Sequence, residues 1–259
     1  MFKVISNRLE QGYRTTGYPK QPIELYSRFR GRPVTNPDCD PAIVRQCADL
    51  CPQEAIVVEE KKIDLGRCTF CGACAQVAAG AFVRFSQNFE LGTARREDLI
   101  TSGSLPDLAA HSKAHFKKLF GRSLQLRQVS AGGCNACEAD TNVLGTPFFD
   151  LSRFGIDFVA SPRHADLLLV TGPVSRHMQE ALKRTYDTTP DPKLVVAMGD
   201  CAGNGGEFGV SYASLGAVRN VIPVDLVIEG CPPTPLQLLQ GITSLLGRSC
   251  AAGKGRPRQ

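Results

Sequence analysis

Cysteines are the residues of this chain whose number and spacing could do chemistry. There are 11 of them in 259 residues, and most fall into two sets of four. The sets are Cys51, Cys68, Cys71 and Cys74, which we call the N-terminal cage, and Cys134, Cys137, Cys201 and Cys231, which we call the C-terminal cage. Four thiolates are a ligand set for zinc or for an iron-sulfur cluster. The sequence therefore predicts two metal centres.

The N-terminal cage contains the run Cys68-x2-Cys71-x2-Cys74, which is typical of a 4Fe-4S site. A tight loop of this kind presents three thiolates and several backbone N–H groups to a compact, negatively charged cluster. Zinc rarely takes three cysteines at this spacing. In two-cluster bacterial ferredoxins such a run continues x3-Cys-Pro, and that fourth cysteine binds the other cluster. Here Cys51-Pro52 has this form, whereas the run that begins at Cys68 reaches Ala78 instead.

The second ferredoxin cluster would need cysteine at positions 41, 44, 47 and 78, and only Cys47 is present. The sequence therefore predicts a single 4Fe-4S cluster in this region, held by the N-terminal cage. Cys39 and Cys47 are then small buried or loop residues. The alternative is that these two thiols share some other metal. No role is predicted for Cys250.

The C-terminal cage is distant in sequence, and its case depends on topology. From residue 124 onward, strand and helix patterns alternate, and the run from Leu167 to Val170 is continuously apolar, as a strand covered on both faces requires. The predicted fold is α/β, a doubly wound, flavodoxin-like parallel sheet. Each cysteine of this cage follows a predicted strand, so all four should meet at the carboxyl edge of the sheet. We expect a second 4Fe-4S cluster there, and the alternatives are zinc or four unrelated buried thiols.

The predicted organisation has five segments. They are an extended N-terminal arm (1–35), a small α+β ferredoxin-like domain (36–90), a linker and amphipathic helix (91–123), the α/β domain (124–250) and a basic tail (251–259). We expect the arm to pack on a neighbouring subunit, and disorder is its alternative. His111 and His115 lie four residues apart on the predicted helix, but they are interpreted as surface residues because no acidic partner motif lies between them.

Composition excludes several classes of protein. The chain has 42% hydrophobic and 21% charged residues and a net charge of +5, without the aromatic and basic interleaving of a nucleic-acid-binding surface. No run approaches the roughly 20 apolar residues that cross a bilayer, so no transmembrane segment is expected. The first residues contain no apolar export segment, which predicts reduced thiols in the cytoplasm.

Two groups of motifs resemble known families. The arm and the N-terminal cage resemble the polyferredoxin subunit of formate hydrogenlyase-type complexes through Tyr18-Pro19, Phe29-Arg30-Gly31, Cys51-Pro52-x2-Ala55-Ile56 and Leu65-Gly66-Arg67-Cys68. Residues 120–246 resemble the small subunit of membrane-bound, energy-converting nickel-iron hydrogenases, which is similar to the quinone-site iron-sulfur subunit of complex I. The motifs that carry this second resemblance are Gly132-Gly133-Cys134-x2-Cys137-Glu138, Ser161-Pro162-Arg163-His164-Ala165-Asp166, Thr171-Gly172, Gly199-Asp200-Cys201-Ala202 and Gly230-Cys231-Pro232-Pro233-Thr234-Pro235.

The chain thus looks like a fusion of two adjacent electron-transfer subunits. The two residues between Cys134 and Cys137 favour the hydrogenase relatives over complex I, in which the first two ligands are adjacent. Ala136 departs from the glycine that is more usual in the family. The resemblance implies that Glu138 lies near the nickel-iron centre of a large subunit and carries protons. Its alternative role is that of an acid favoured by the dipole at a helix N-terminus.

The resemblance also implies cofactors and partners. It implies two 4Fe-4S clusters, a nickel-iron large subunit, antiporter-like membrane subunits and a donor such as formate dehydrogenase, carbon monoxide dehydrogenase or ferredoxin. The chain would lie on the inner face of the cell membrane through its complex. Two other functions stay open: electron transfer to quinone or another acceptor in a complex I-related assembly, and a structural module whose clusters carry no current.

Overall fold

The computed structural model of this protein describes residues 2–21, 23–105 and 123–246. Three sequence predictions lie outside the described residues: nearly all of the amphipathic helix with His111 and His115, the basic tail, and any role for Cys250. In the parts of the chain that are described, no helix has the length and hydropathy to cross a membrane.

The N-terminal half is built from short elements. They are α1 (Phe2–Gln11), β1 (Pro33–Thr35), α2 (Pro41–Asp49), β2 (Ile56–Val57), β3 (Lys62–Asp64), α3 (Ala73–Val77), β4 (Val83–Phe85), β5 (Gly92–Thr93) and β6 (Ile100–Thr101). Strand β1 pairs antiparallel with β4, and β2 pairs antiparallel with β3. The side chain of Asp40 caps α2 by accepting from the backbone N–H of Ala42, and Pro41 opens the helix where no N–H is needed.

The C-terminal half is an α/β unit. Its elements are β7 (Leu124–Ser130), α4 (Ala136–Val143), β8 (Ile156–Phe158), β9 (Leu167–Thr171), α5 (Arg176–Thr188), β10 (Leu194–Met198), α6 (Asp200–Asn204), β11 (Leu226–Ile228) and α7 (Pro235–Leu245). The five strands lie in the order β8, β7, β9, β10, β11, and every neighbouring pair is parallel. Renumbered from the first of them, this is the 2-1-3-4-5 order of flavodoxin-like sheets. The predicted parallel α/β sheet is confirmed.

Both faces of this sheet are covered. Successive residues Leu168 and Leu169 of β9 are fully buried on opposite faces. Leu169 belongs to a core that includes Leu239 of α7, and Leu168 belongs to a core that includes Leu182 of α5. This double burial explains the unbroken apolar run in the sequence.

The segment predicted to be a plain linker supplies a strand to each half of the chain. Strand β5 pairs antiparallel with β11 on the edge of the large sheet, and β6 pairs antiparallel with β3 in the small one. A one-turn 3-10 helix at Arg96–Leu99 joins them. The linker prediction is therefore wrong for residues 92–101, because two-residue strands are too short to show periodicity.

The N-terminal arm also differs from its prediction. Residues Phe2–Gln11 form a helix, α1, instead of an extended chain, and none of its residues is buried. The next residues pack on the α/β unit of this same chain: Arg153 donates hydrogen bonds to the backbone carbonyls of Thr16 and Tyr18, and Tyr18 is only 5% exposed. The arm therefore contacts its own chain, whereas the sequence predicted packing on a neighbouring subunit.

Candidate metal centres

The topology of the sheet brings the C-terminal cage together. Cys134 lies in the loop after β7, Cys137 in the first turn of α4, Cys201 in α6 after β10, and Cys231 directly after β11. The pKa of the Cys137 thiol is raised to about 12 by burial first and then by the nearby charges of Glu138 and the other three thiols. Burial first, and then the charges of Cys231, Asp200, Cys134 and Glu207, raise the pKa of the Cys201 thiol to about 11. The four predicted ligands therefore lie within electrostatic reach of one another at the carboxyl edge.

Two glycines allow backbone to approach these sulfurs closely. A Cβ on Gly199 would lie 2.7 Å from Sγ of Cys137, and a Cβ on Gly206 would lie 2.6 Å from Sγ of Cys201. Both glycines have positive φ angles, +87° and +55°, which side-chain-bearing residues rarely adopt. The loops of this cage leave space beside the thiols that only glycine can leave.

Glu138 is buried in the first turn of α4, behind the cage. Its Oε1 accepts hydrogen bonds from the hydroxyls of Ser130 at 2.6 Å and Thr171 at 2.7 Å. Burial alone would raise the pKa of this carboxyl, but the two hydroxyls and its own backbone N–H hold it below the usual value. The side chain is therefore a carboxylate at neutral pH, fixed by residues at the ends of β7 and β9.

In addition to Glu138, a pair of carboxyl groups flanks the same cage. Asp200 precedes Cys201, and Glu229 lies two residues before Cys231; they are 4% and 0% exposed. Burial raises the pKa of Asp200 to about 6 and, together with the charge of Asp200, raises that of Glu229 well above its usual value. Oδ1 of Asp200 accepts from the backbone N–H of Gly230, at 2.8 Å. Asp200 thus ties the Cys201 loop to the Cys231 loop.

The N-terminal cage lines one small cavity between α3 and the β2–β3 hairpin. Its walls include all four predicted ligands: Cys51, Cys68, Cys71 and Cys74. Burial first, and then neighbouring thiols and Asp200, raise the pKa of Cys68 to about 12, although the backbone N–H of Phe70 opposes this shift. The backbone N–H of Ala55 points at Sγ of Cys51, at 3.3 Å. Three cysteines from one loop and one from α2's C-terminal side thus face a common space.

Cys39 and Cys47 lie outside that cavity's walls. Cys47 is fully buried, and its Sγ donates to the backbone carbonyl of Cys74 at 3.5 Å. Val44 and Ala78, which stand where a second ferredoxin cluster would have ligands, are also buried, at 0% and 6% exposure. These residues and Cys39 belong to one hydrophobic core. Apolar packing fills this region.

A cleft of about 650 Å³ separates the two cages. Its lining residues are Pro52, Gln53, Glu54, Arg67, Thr69 and Arg96 on one side and Cys134, Asp200, Cys201, Asn204, Gly206, Glu207, Phe208 and Cys231 on the other. Residues next to the N-terminal cage therefore face three thiols of the C-terminal cage.

Within residues 2–21, 23–105 and 123–246, no three His, Cys, Asp or Glu side chains converge closely enough to hold a single metal ion. The case for a larger, polynuclear group rests on the shared cavity, the shared sheet edge and the chemistry of a four-thiolate donor set.

Three residues near the cages were not identified from the sequence. Asp200 and Glu229 were given no role, although Asp200 stands inside the Gly199-to-Ala202 motif, and that position is a signal that could have identified it. Arg96 lies in a charged stretch, Arg95-Arg96-Glu97-Asp98, that is typical of a solvated surface. Nothing in its spacing indicates that it reaches the cleft.

The fold and the site together define a class: an α/β protein with the flavodoxin strand order and a four-cysteine site at the carboxyl edge of the sheet. The family described as NADH ubiquinone oxidoreductase, 20 Kd subunit, matches residues 134–245, and the chain belongs to that family. The matched residues begin at Cys134 and include the whole C-terminal cage.

Similar proteins include subunits of oxidoreductase complexes. The chain is 42% identical over 142 residues to a probable membrane-bound hydrogenase subunit of Pyrococcus furiosus, a match that covers 55% of this chain and 85% of the relative. It is 44% identical over 138 residues to formate hydrogenlyase subunit 7 of Escherichia coli (strain K12), covering 53% of this chain and 54% of that protein. The chain thus spans about half the length of the latter relative.

A solved structure is also similar. It is a chain in the membrane-bound sulfane sulfur reductase, an archaeal respiratory membrane complex, with 36% sequence identity and a TM-score of 0.45. The match covers 51% of this chain and 73% of that chain.

Proposed function

We propose that this chain is an iron-sulfur electron-transfer subunit. It would relay electrons between a donor and the nickel-iron large subunit of a membrane-associated, formate hydrogenlyase-like hydrogenase complex. Family membership and the relatives' names support the second half of this statement. The two four-cysteine cages support the first half.

The N-terminal cage, within a ferredoxin-like domain at 36–90, would hold one 4Fe-4S cluster and the C-terminal cage another. When bound, such clusters supply one-electron redox chemistry. The chain's own contribution is to hold the thiolates, to let the backbone at Gly199 and Gly206 approach sulfur closely, and to keep the sites partly buried. Burial, nearby charge and hydrogen bonds to sulfur are the means by which a protein tunes reduction potential.

The observation that carries the proposal is the cleft between the cages. Arg67 and Thr69, which flank Cys68, line the same cleft as Cys134, Cys201 and Cys231. The charge of Asp200, in the C-terminal half, also acts on the Cys68 thiol. Two sites arranged in this way suit an electron relay, because the loop that contains Cys68 and the C-terminal cage lie on opposite sides of the same cleft.

Glu138 would hold or pass a proton beside the C-terminal cage. Its carboxylate is fixed by Ser130 and Thr171, so it has a defined orientation and two hydroxyl neighbours through which a proton can move. Its lowered pKa keeps the carboxylate ionised at neutral pH, so it would accept a proton only while passing it on. The large subunit would provide the other end of this route.

The remaining partners follow from the same proposal. They are antiporter-like membrane subunits of the complex and an electron donor such as formate dehydrogenase, carbon monoxide dehydrogenase or a ferredoxin. The chain would be cytoplasmic and peripheral, held at the inner face of the cell membrane by the complex.

Iron and sulfide analysis of the anaerobically reconstituted full chain tests the proposal. We expect about eight iron atoms and eight sulfides per chain, as two cubane clusters require, and two distinguishable paramagnetic signals on reduction. About four iron atoms would contradict the two-cluster assignment. Stoichiometric zinc in place of iron would contradict the electron-transfer function itself.

The family description favours a second candidate, since it names a ubiquinone oxidoreductase. In that case the large subunit would lack a nickel-iron site, and electrons would pass to quinone or another acceptor. The sequence of the partner large subunit discriminates the two functions: two Cys-x2-Cys pairs that could bind nickel support the hydrogenase, and their loss supports the quinone reaction. Midpoint potentials far outside the range of physiological donors would instead indicate a purely structural role.

A further inference from the structure

Arg96 lies between the two cages and is held in place by the N-terminal half. Its Nη2 donates to Oδ2 of Asp64 at 2.6 Å, and the exposed fractions of the two side chains are 18% and 11%. The other oxygen, Oδ1 of Asp64, accepts from the backbone N–H of Gly66 at 2.9 Å. Because both partners are largely buried and the carboxylate has a second hydrogen bond, the guanidinium has a fixed position.

Gly66 provides the surface on which this guanidinium lies. A Cβ at residue 66 would be 2.7 Å from Cζ of Arg96 and 2.9 Å from its Nη2. No φ angle in the left-handed region is recorded for Gly66, so the backbone itself does not demand glycine there. Instead, the absence of a side chain at residue 66, two residues before Cys68, makes room for the guanidinium of Arg96.

On its other side Arg96 faces the C-terminal cage. It lines the cleft together with Cys134, Cys201 and Cys231, whereas no thiol of the N-terminal cage lines that cleft. The other charged residues of the cleft are Glu54, Arg67, Asp200 and Glu207. Arg96 is therefore the more deeply buried of two cations that share a space with three of the four predicted C-terminal ligands.

The surroundings of Arg96 keep it charged. Burial alone would lower its pKa, but the hydrogen bond and charge of Asp64, followed by the charges of Glu229 and Glu97, raise it above the usual value for arginine. Arg96 is therefore a cation at neutral pH. Its charge also acts on the buried acids Asp200 and Glu229.

We propose that Arg96 is a positioning and potential-setting residue for the C-terminal cage, and that Gly66 and Asp64 hold it there. This inference rests on the proposed function. Reduction adds a negative charge to the group held by Cys134, Cys137, Cys201 and Cys231, and a fixed cation in a partly buried cleft favours that added charge. Arg96 therefore raises the reduction potential of the group held by the C-terminal cage relative to that of the group held by the N-terminal cage. This difference favours electron transfer across the cleft toward the C-terminal cage.

The test is an anaerobic redox titration of the reconstituted full chain, with the two signals followed by electron paramagnetic resonance. The signal of the C-terminal cage is identified by its loss in Cys137→Ser. In Arg96→Gln we expect the equilibrium constant for reducing that cage to fall on the order of tenfold, the effect of one charge at roughly 10 Å in a medium of dielectric constant about 20. The N-terminal signal should move less. In Arg96→Lys, which keeps the charge, most of the shift should be absent.

Gly66→Ala tests the geometry without changing any charge. The methyl group would meet the far end of a flexible side chain, so the fold should persist while the guanidinium is displaced. We expect a shift of the C-terminal signal in the same direction as in Arg96→Gln, but smaller. The matched control is Arg67→Gln: Arg67 lines the same cleft, but it is 47% exposed and pairs with an 82% exposed Glu54. Solvent screening should make its effect smaller still.

The outcomes separate this inference from the function on which it rests. Suppose that the unmodified chain shows two signals and about eight iron atoms. If Arg96→Gln then causes no shift, or shifts the N-terminal signal alone, the role of Arg96 is overturned, but the proposed electron relay is not. Absence of an iron signal from the C-terminal cage of the unmodified chain would overturn both. If Arg96→Gln does not assemble, Gly66→Ala decides: an unmoved potential there contradicts the proposed positioning.

Discussion

The two cages are built in opposite ways. Three thiols of the N-terminal cage come from one seven-residue segment, Cys68 to Cys74, which runs into the first turn of α3, and the fourth follows α2. The C-terminal cage draws its thiols from three separate strand ends, brought together by the order β7, β9, β10, β11. The first depends mainly on local loop geometry and the second on the whole sheet, so the same ligand chemistry should respond differently to damage.

The largest expected effect comes from removing a predicted ligand. Cys68→Ser should abolish the iron of the N-terminal cage and leave the other cage loaded, since the two sites share no thiol; Cys137→Ser should do the reverse. Iron content and the two reduced-state signals are the readouts, and each variant should retain about half of the iron. Loss of both signals from one substitution would show that the cages do not assemble independently.

Gly199→Ala should damage the C-terminal cage alone. The added methyl group would lie 2.7 Å from Sγ of Cys137 at a residue with a φ of +87°, so it would crowd the sulfur and strain the backbone. We expect loss of the C-terminal signal and a destabilisation of about 1–3 kcal/mol, measured by thermal unfolding.

The matched control for this variant is Gly80→Ala. Gly80 has a similar φ of +77°, and the nearest atom to its added Cβ is 3.5 Å away, on Arg84. It should cost about 1 kcal/mol of backbone strain and leave both signals intact. If both glycine variants lose iron equally, the contact with sulfur is not the cause.

Glu138→Gln should leave both cages loaded and slow turnover of the assembled complex by about tenfold or more. The amide oxygen can still accept from Ser130 and Thr171, so the packing is retained, but the ionisable proton site is lost. Hydrogen evolution or uptake is the activity to measure, with reduction of the clusters by dithionite as the control. Unchanged turnover would contradict the proton route.

The smallest effect is expected for Cys47→Ala. The thiol is buried in the apolar core and donates a hydrogen bond to the backbone carbonyl of Cys74. Loss of one sulfur atom from a packed core should cost about 1 kcal/mol and leave the iron content unchanged. A loss of iron from this variant would place Cys47 inside the N-terminal cage and redraw its boundary.

The sequence predicted the larger half of the chain well, because its strands are long enough to show their burial. The apolar run from Leu167 to Val170 lies within β9, Leu167–Thr171, and the carboxyl-edge position of the cysteines followed from topology alone. Helix α1 was missed because its apolar residues contact nothing that would identify them as a buried face. Strands β5 and β6 were missed because they are strands only through pairing with partners that are distant in sequence, and their own residues show no strand pattern.

The same distinction applies to the candidate sites. Cysteine spacing predicted the N-terminal cage, because a cluster constrains the intervals between its ligands, whereas strand topology predicted the C-terminal cage. Cluster binding by both cages stays a prediction. Arg96 could not be identified in this way, because its role depends on an ion pair with Asp64, 32 residues earlier in the chain. The burial of a charged residue depends on the tertiary structure around it. A charged stretch of sequence does not show which of its residues will be buried.

Strand β5 has a practical consequence for anyone who divides this protein. Its two residues cover the free margin of β11, so a fragment that starts at residue 124 would present unpaired N–H and C=O groups along that margin. Such margins recruit strands from other molecules and promote aggregation. A well-behaved truncation of the α/β unit should therefore begin before Gly92.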